Sequence, residues 1–263
     1  MYAEPGVLLG LINAEKCPRS IDGGKRVYEP DIQQGAWAIV YNIQLFTQRV
    51  VSGKAGNDCM LKVTNLTCAR GEQQLFSNLC FELHDGGLLQ VLGENGSGKT
   101  TLLRTLCGFT QPLSGEIFWR EKNIRTANEK YHADIIYLGH HNAIKDDLSA
   151  LENLRISCTL SDCEVSDSVV IAALRHMGLR GRETFLVKVL SQGQRRRVAL
   201  ARLLLSKAPL WILDEPLAAL DAEAAGLIQD LIAKHLKNRG MVIYTTHQTL
   251  EVAGTEVQRL SLS

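Results

Sequence analysis

The residues with the clearest chemistry are the nine consecutive positions 93–101, whose spacing is that of a phosphate-binding loop. These residues fit the pattern G-x-x-x-x-G-K-[ST] at every fixed position. Glycines let several backbone N–H groups point inward at an anion. Lys99 would reach the β- and γ-phosphates, and the Thr100 hydroxyl would hold Mg²⁺. The sequence therefore predicts ATP and Mg²⁺ as ligands. The residues assigned to the nucleotide are Gly93, Glu94, Asn95, Gly96, Ser97, Gly98, Lys99, Thr100 and Thr101.

Two adjacent carboxylates, which follow a short apolar run, are the next candidates for chemistry. Residues 210–213 are apolar, as in a parallel strand covered on both faces, and Asp214 and Glu215 come directly after them. Neighbouring side chains on a strand point in different directions, so the two acids can have different roles. Asp214 would hold Mg²⁺ through water, and Glu215 would polarise the attacking water as a general base.

A polar row at residues 190–194 precedes an arginine-rich helical stretch. Ser191 is placed to cap a helix that is predicted over residues 192–206. Taken alone, this row is only a polar helix start. The run Arg195-Arg196-Arg197 lies beside a nucleotide motif, so it is predicted to be a solvated or helix-packing face and not a nucleic-acid patch.

Strands and helices alternate around these motifs. The phosphate loop lies between a predicted strand at residues 88–92 and a predicted helix whose leucines recur at helical spacing. From about residue 143 to residue 190 the pattern is helical. This order predicts an α/β sheet domain with an inserted helical block. Other strands are predicted at residues 61–63, 75–83, 115–119, 134–139 and 241–245, and other helices at residues 150–160, 166–178 and 221–240.

Composition restricts the class of protein. The net charge of +1 gives no sign of a nucleic-acid partner. The seven cysteines are odd in number and form no Cys-x-x-Cys pair, which favours a reduced setting over a disulfide framework or a zinc ribbon. No run of 18 apolar residues occurs, so any membrane role would need a partner chain.

Residues 1–59 stand apart from the rest, because they contain polar turns and only weak periodicity. Two interpretations stay open. The segment is a poorly ordered appendage, or it lies upstream of a natural translation start at Met60, where the domain pattern begins. Detection of a peptide from before Met60 by mass spectrometry of the native protein would exclude the second interpretation.

The order of the motifs resembles that of the ATP-binding-cassette ATPases. Residues 190–194 are similar to the family's signature motif, Leu-Ser-x-Gly-Gln, and precede the acidic strand as they do there. The resemblance implies a phosphate-loop NTPase fold with a mixed sheet core, an antiparallel β subdomain and a helical subdomain, over residues 60–263. It also implies a head-to-tail dimer that sandwiches ATP. Its further site residues would be Ser191, Gly193 and Gln194 of the signature, Asp221 of the D-loop, and His247 as the switch histidine beside Glu215.

Two positions depart from the family pattern. His141 occupies the place of the Q-loop glutamine, and Arg70 occupies that of the aromatic residue that stacks on adenine. Imidazole can still bind water or a carbonyl, and a guanidinium can stack on a base. Binding of ATP is therefore still expected at both positions.

Further stretches are similar to the CcmA family, the ATPase subunits of the cytochrome c maturation system. They are residues 137–145, 148–154, 196–203, 210–216 and 245–248. That resemblance implies a peripheral subunit on the cytoplasmic side of the inner membrane, with CcmB, CcmC and CcmD as partners and haem export as the activity. An ATPase for a permease of another small substrate is the alternative. A cassette protein acting on nucleic acid and an inactive cassette are less well supported, because the charge is near zero and Lys99, Glu215 and His247 are all present.

Overall fold

The computed structural model describes residues 59–246 and 250–262, except 251 and 253. The predicted appendage, apart from Cys59, and His247 lie outside this range. The elements are β1 (Cys59–Arg70), β2 (Gln73–His84), β3 (Leu88–Leu92), α1 (Lys99–Leu106), β4 (Ser114–Trp119), β5 (Lys122–Asn123), α2 (Asn128–Ala133), β6 (Ile135–Leu138), α3 (Ala150–Leu160), α4 (Asp167–His176), a 3₁₀ turn (Val187–Val189), α5 (Gln192–Leu205), β7 (Leu210–Asp214), α6 (Ala222–Lys237), β8 (Met241–Thr245) and β9 (Val257–Ser261).

The strands form two sheets. One is antiparallel with the order β2-β1-β4-β5, and the other has the order β6-β7-β8-β3-β9 with every pair parallel. The predicted α/β class, with an antiparallel β part and an inserted helical part, is confirmed. Because carboxyl ends of parallel strands meet at one edge of a sheet, the residues that follow β3, β6, β7 and β8 lie along a common edge.

Alternation along the central strands explains why they are continuously apolar. In β7, Leu210 and Ile212 join one apolar cluster, and Trp211 and Leu213 join the other. All five residues of β7 are buried. The sheet is thus covered on both faces, as the apolar run predicted.

The helices α3 and α4 lie between β6 and α5, within the segment proposed as a helical subdomain. Leu154 of α3, Val170 of α4 and Val198 of α5 share one buried cluster. Three short elements, β5, α2 and β9, were not predicted, and β1 is longer than the predicted strand. None of the described helices is long and apolar enough to cross a membrane.

The helix α3 begins with a reciprocal cap that should contribute measurably to stability. Ser149 Oγ accepts from the Glu152 N–H, and the Glu152 carboxylate accepts from the Ser149 N–H. We expect Ser149→Ala to lower the free energy of unfolding by about 1–2 kcal/mol in chemical denaturation. Ser166→Ala is the matched control, because Ser166 Oγ caps no backbone N–H of α4 and contacts only the hydroxyl of Ser168, at 2.8 Å. Equal losses of unfolding free energy in the two variants would contradict a stabilising role for the Ser149 cap.

Candidate functional site

The phosphate loop after β3 adopts a backbone that only glycine accommodates easily. Gly93, Gly96 and Gly98 have φ angles of 152°, 89° and 98°. A Cβ at Gly93 would lie 2.4 Å from Ser97 Oγ. The glycines of the pattern are thus required by local geometry, and the loop leads directly into α1, whose N-terminal end attracts anions.

Polar groups of the loop are arranged for an anion. Lys99 Nζ donates to the carbonyl oxygens of Gly93 (2.7 Å) and Glu94 (2.9 Å), which holds the ammonium against the loop. Ser97 Oγ is buried and has no hydrogen-bond partner in the described part of the chain. A buried hydroxyl without a partner costs free energy, and a phosphate oxygen could accept its hydrogen bond.

Asp214 joins the loop to the central strands. Its side chain is 3% exposed. The carboxylate accepts from Thr100 Oγ1 at 2.8 Å and from Thr245 Oγ1 at 2.6 Å. The first contact brings together the two predicted Mg²⁺ ligands across 114 residues of sequence. A hydroxyl and a carboxylate are hard oxygen donors that suit Mg²⁺, whose other ligands are usually water and phosphate oxygens. The donor set therefore fits this ion.

Glu215 begins the turn after β7 with an unusual backbone. Its φ is 50°, the left-handed region that residues other than glycine seldom adopt. Its N–H donates to the carbonyl oxygen (3.2 Å) and to Oγ1 (3.1 Å) of Thr245. The hydroxyl of Thr245 thus links the backbone of one acid to the carboxylate of the other. No sequence signal singled out Thr245, since a threonine at a strand end is common.

Arg196 is the second residue of the site that sequence reasoning missed. It is 4% exposed, so the solvated alternative predicted for the arginine run is wrong for this residue. Its guanidinium donates to acceptors in the segments that follow β6 and β7. Its neighbours differ: Arg195 pairs with Asp146, and Arg197 pairs with Asp221. The three arginines have different surroundings because each residue of a helix is rotated by about 100° from the one before it.

The signature residues form a helix start that is satisfied within its own chain. Ser191 Oγ accepts from the Gln194 N–H, and Gln194 Oε1 accepts from the Ser191 N–H. A Cβ at Gly193 would lie 3.0 Å from the carbonyl oxygen of Ala219, so this glycine permits close packing of the loop before α6. Asp221 caps α6, because its carboxylate accepts from the Ala224 N–H.

The structure therefore brings the predicted residues into two groups. Lys99, Thr100, Asp214 and Glu215 lie at the edge of the parallel sheet, whereas Ser191, Gly193, Gln194 and Asp221 lie together elsewhere. In the described residues, no hydrogen bond joins Ser191 or Gln194 to the phosphate loop. Arg70 is exposed at the β1–β2 turn, and His141 is exposed after β6, with its ring 5.7 Å from that of His140.

The chain is similar to known ATP-binding subunits of transporters. The model of the ABC transporter family matches residues 76–218. The cytochrome c biogenesis ATP-binding export protein CcmA of Nitrosospira multiformis is 54% identical over 203 residues, which are 77% of this chain and 98% of the relative. The protein of the same name from Nitrosomonas europaea is 53% identical over 78% of this chain and 96% of its own.

The chain belongs to the CcmA family of ABC transporter ATPases. The protein of the same name from Vibrio cholerae is 47% identical over 77% of this chain and 98% of its own. The predicted family membership and the predicted ATPase class are thereby confirmed.

Solved structures agree on the fold. A Pyrococcus furiosus protein described as a putative ABC transporter ATP-binding protein has a TM-score of 0.66 and 27% identity, over 77% of this chain and 96% of its own. The cassette MJ0796, solved as a dimer in a post-hydrolysis state with ADP and Pi, has a TM-score of 0.65 and 25% identity, over 72% of this chain and 88% of its own.

The hydroxyl of Thr245 should support both stability and turnover. We expect Thr245→Val to lower the free energy of unfolding by about 1–3 kcal/mol, because Asp214 and the Glu215 N–H each lose a buried partner. ATP turnover should fall by roughly tenfold or more, because the acidic turn is less firmly placed. Thr245→Ser keeps the hydroxyl and should behave nearly as the parent in both assays. Full turnover in the valine variant would show that this hydroxyl is dispensable.

Proposed function

We propose that this chain is the ATP-hydrolysing subunit of a CcmAB-type export complex that acts in haem export and cytochrome c biogenesis. The observation that carries the proposal is the family membership, at 54% and 53% identity to proteins named for cytochrome c biogenesis and export. The site supports it, since the groups expected of an active ATPase stand at the edge of one sheet. The subunit would lie on the cytoplasmic face of the inner membrane, with a CcmB-like permease and CcmC- and CcmD-like proteins as partners.

In this proposal the phosphate loop binds the triphosphate of ATP. Backbone N–H groups of residues 93–101 surround the phosphates, and Lys99 neutralises the β- and γ-phosphates. Thr100 and Asp214 would hold Mg²⁺, which when bound offsets charge on the phosphate oxygens. Glu215 accepts a proton from the attacking water as a general base. His247, outside the described residues, is assigned to the γ-phosphate and to orientation of that water.

Two copies of the chain are proposed to complete the site. Ser191, Gly193 and Gln194 form a helix N-terminus, which favours negative charge. They would contact the γ-phosphate held by the loop of the other copy, with Asp221 nearby. Hydrolysis removes that phosphate and its contacts, and so opens the dimer. The dimeric cassette MJ0796 gives a precedent for such a pair.

Arg70 and His141 are proposed to keep the roles of the family residues that they replace. Arg70 lies at the end of β1, and the adjoining strand β2 contacts the phosphate loop, since Leu75 would lie 3.0 Å from a Cβ at Gly98. A guanidinium there would stack on the adenine base. His141 would bind water or a carbonyl with its imidazole, as an exposed residue in the segment that follows β6.

Replacement of the proposed base should separate binding from hydrolysis. We expect Glu215→Gln to lower kcat by roughly 10²-fold or more, because the water loses its proton acceptor. Its affinity for ATP should stay near that of the parent, and an ATP-loaded dimer should accumulate in analytical ultracentrifugation. Lys99→Ala is the contrasting variant, because it should weaken nucleotide binding and form no such dimer. Unchanged turnover in Glu215→Gln would remove Glu215 from the mechanism.

The transport assignment is tested by isolating the complex from native membranes. We expect a CcmB-like permease to co-purify with the tagged chain, together with CcmC- and CcmD-like proteins identified by mass spectrometry. Haem in the preparation is measured by its absorption spectrum. A Lys99→Ala sample serves as a control that retains the subunit but not its nucleotide binding. Recovery of an unrelated permease would instead favour the alternative, an ATPase subunit for another small substrate.

A further inference from the structure

We propose that Arg196 is a positioning residue for ATP hydrolysis, which ties the backbone of Glu215 to the segment that carries His141. The inference rests on the proposed role of Glu215 as the base. Arg196 lies outside the phosphate loop and residues 190–194, and its buried guanidinium orients the Glu215 side chain through the backbone.

The hydrogen bonds of Arg196 divide between two segments. Its Nη1 donates to the Gly139 carbonyl oxygen at 3.0 Å and to Asn142 Oδ1 at 3.1 Å. Its Nη2 donates to the carbonyl oxygens of Asp214 at 3.1 Å and Glu215 at 2.7 Å. The planar guanidinium therefore bridges the chain after β6 and the chain after β7. A rigid fork of donors suits such a bridge better than the flexible ammonium of a lysine.

Packing alone does not account for this residue. Arg196 is 4% exposed, and burial lowers the pKa of its guanidinium, while the charges of Asp214 and Glu215 act in the opposite direction. Its Nε has no hydrogen-bond partner among the described residues, and the hydrogen bonds of its two Nη atoms go to three backbone carbonyl oxygens and one amide oxygen. Burying a cation is costly, and apolar side chains of similar volume usually pack as well or better. The carbonyl contacts are therefore the feature that distinguishes arginine here.

The bridge acts where the backbone is strained. Glu215 has a φ of 50°, a left-handed conformation that is unfavourable for a residue with a Cβ. Its N–H is held by Thr245, and its C=O is held by Arg196. With both ends of the residue fixed, the direction of its Cα–Cβ bond is fixed as well. His141 lies between the two residues, Gly139 and Asn142, that the same guanidinium anchors on the other side.

Steady-state and binding measurements on Arg196→Gln and Arg196→Lys test the inference. We expect Arg196→Gln to lower kcat at least tenfold, with the KM for ATP and the Kd for a fluorescent ATP analogue within about threefold of the parent. Arg196→Lys keeps the charge but reaches fewer acceptors, so its kcat should lie between that of the parent and that of Arg196→Gln. It also serves if the glutamine variant does not fold. A loss confined to binding, or parent-like turnover in folded Arg196→Gln, overturns the proposal.

Arg202→Gln is the matched control for a merely structural effect. Arg202 lies on the same helix, and its Nε is likewise buried without a partner in the described part of the chain. This variant should lose stability in thermal unfolding but keep the parent kcat per folded molecule. Equal losses of kcat in Arg202→Gln and Arg196→Gln would reduce Arg196 to a packing residue.

A combination with Glu215→Gln separates this inference from the proposed function. In single-turnover hydrolysis, Arg196→Gln should lower the rate of the parent but add no further loss once Glu215 is replaced. Independent, multiplicative losses would overturn the positioning role while leaving Glu215 as the base. Parent-like turnover in Glu215→Gln alone would instead overturn the proposed function.

Discussion

The carboxylate of Asp214 is the group on which the organisation of the site depends. It is buried at the end of β7, and a buried charge requires hydrogen bonds to be tolerated. Two hydroxyls provide them: Thr100 at the start of α1 and Thr245 at the end of β8. The phosphate loop, the acidic strand and the neighbouring strand are therefore held to one another through a single side chain. Any displacement of one of these elements would leave a buried oxygen without its donor.

The hydrogen-bond network of Asp214 continues to Glu215 through the backbone of Glu215. The hydroxyl of Thr245 donates to one acid and accepts from the main chain of the next. Arg196 then holds the carbonyl on the far side of Glu215. A strained residue persists only where its surroundings over-determine its conformation, and here both of its peptide groups are bound. The turn is thus positioned by contacts within the chain itself, and such preorganisation is what electrostatic catalysis uses.

Most of the fold could be predicted from local patterns, and most of the tertiary contacts could not. The run at residues 210–213 indicated a strand covered on both faces, and its residues do alternate between two apolar clusters. The glycine spacing indicated the phosphate loop, because it follows from backbone geometry. By contrast, three consecutive positions are all arginine and differ only in which face of α5 they occupy, so their contacts could not be told apart in advance. They are Arg195, Arg196 and Arg197. The short strand β9 is half exposed and carries Gln258 and Arg259, so its apolar pattern is too weak to predict it.

The signature residues and the D-loop contact each other within one chain. These contacts affect how the two segments would bind a second copy. Gly193 packs against the carbonyl of Ala219, and Arg197 of the same helix pairs with Asp221. Ala219 itself has a φ of 62°, so the loop is held in a conformation that a free chain would avoid. In the proposed dimer, Ser191 and Asp221 would therefore reach the phosphate loop of the other copy together and not in succession. Their helix start is already capped internally, so binding of a γ-phosphate would add to an ordered end and would not have to create one.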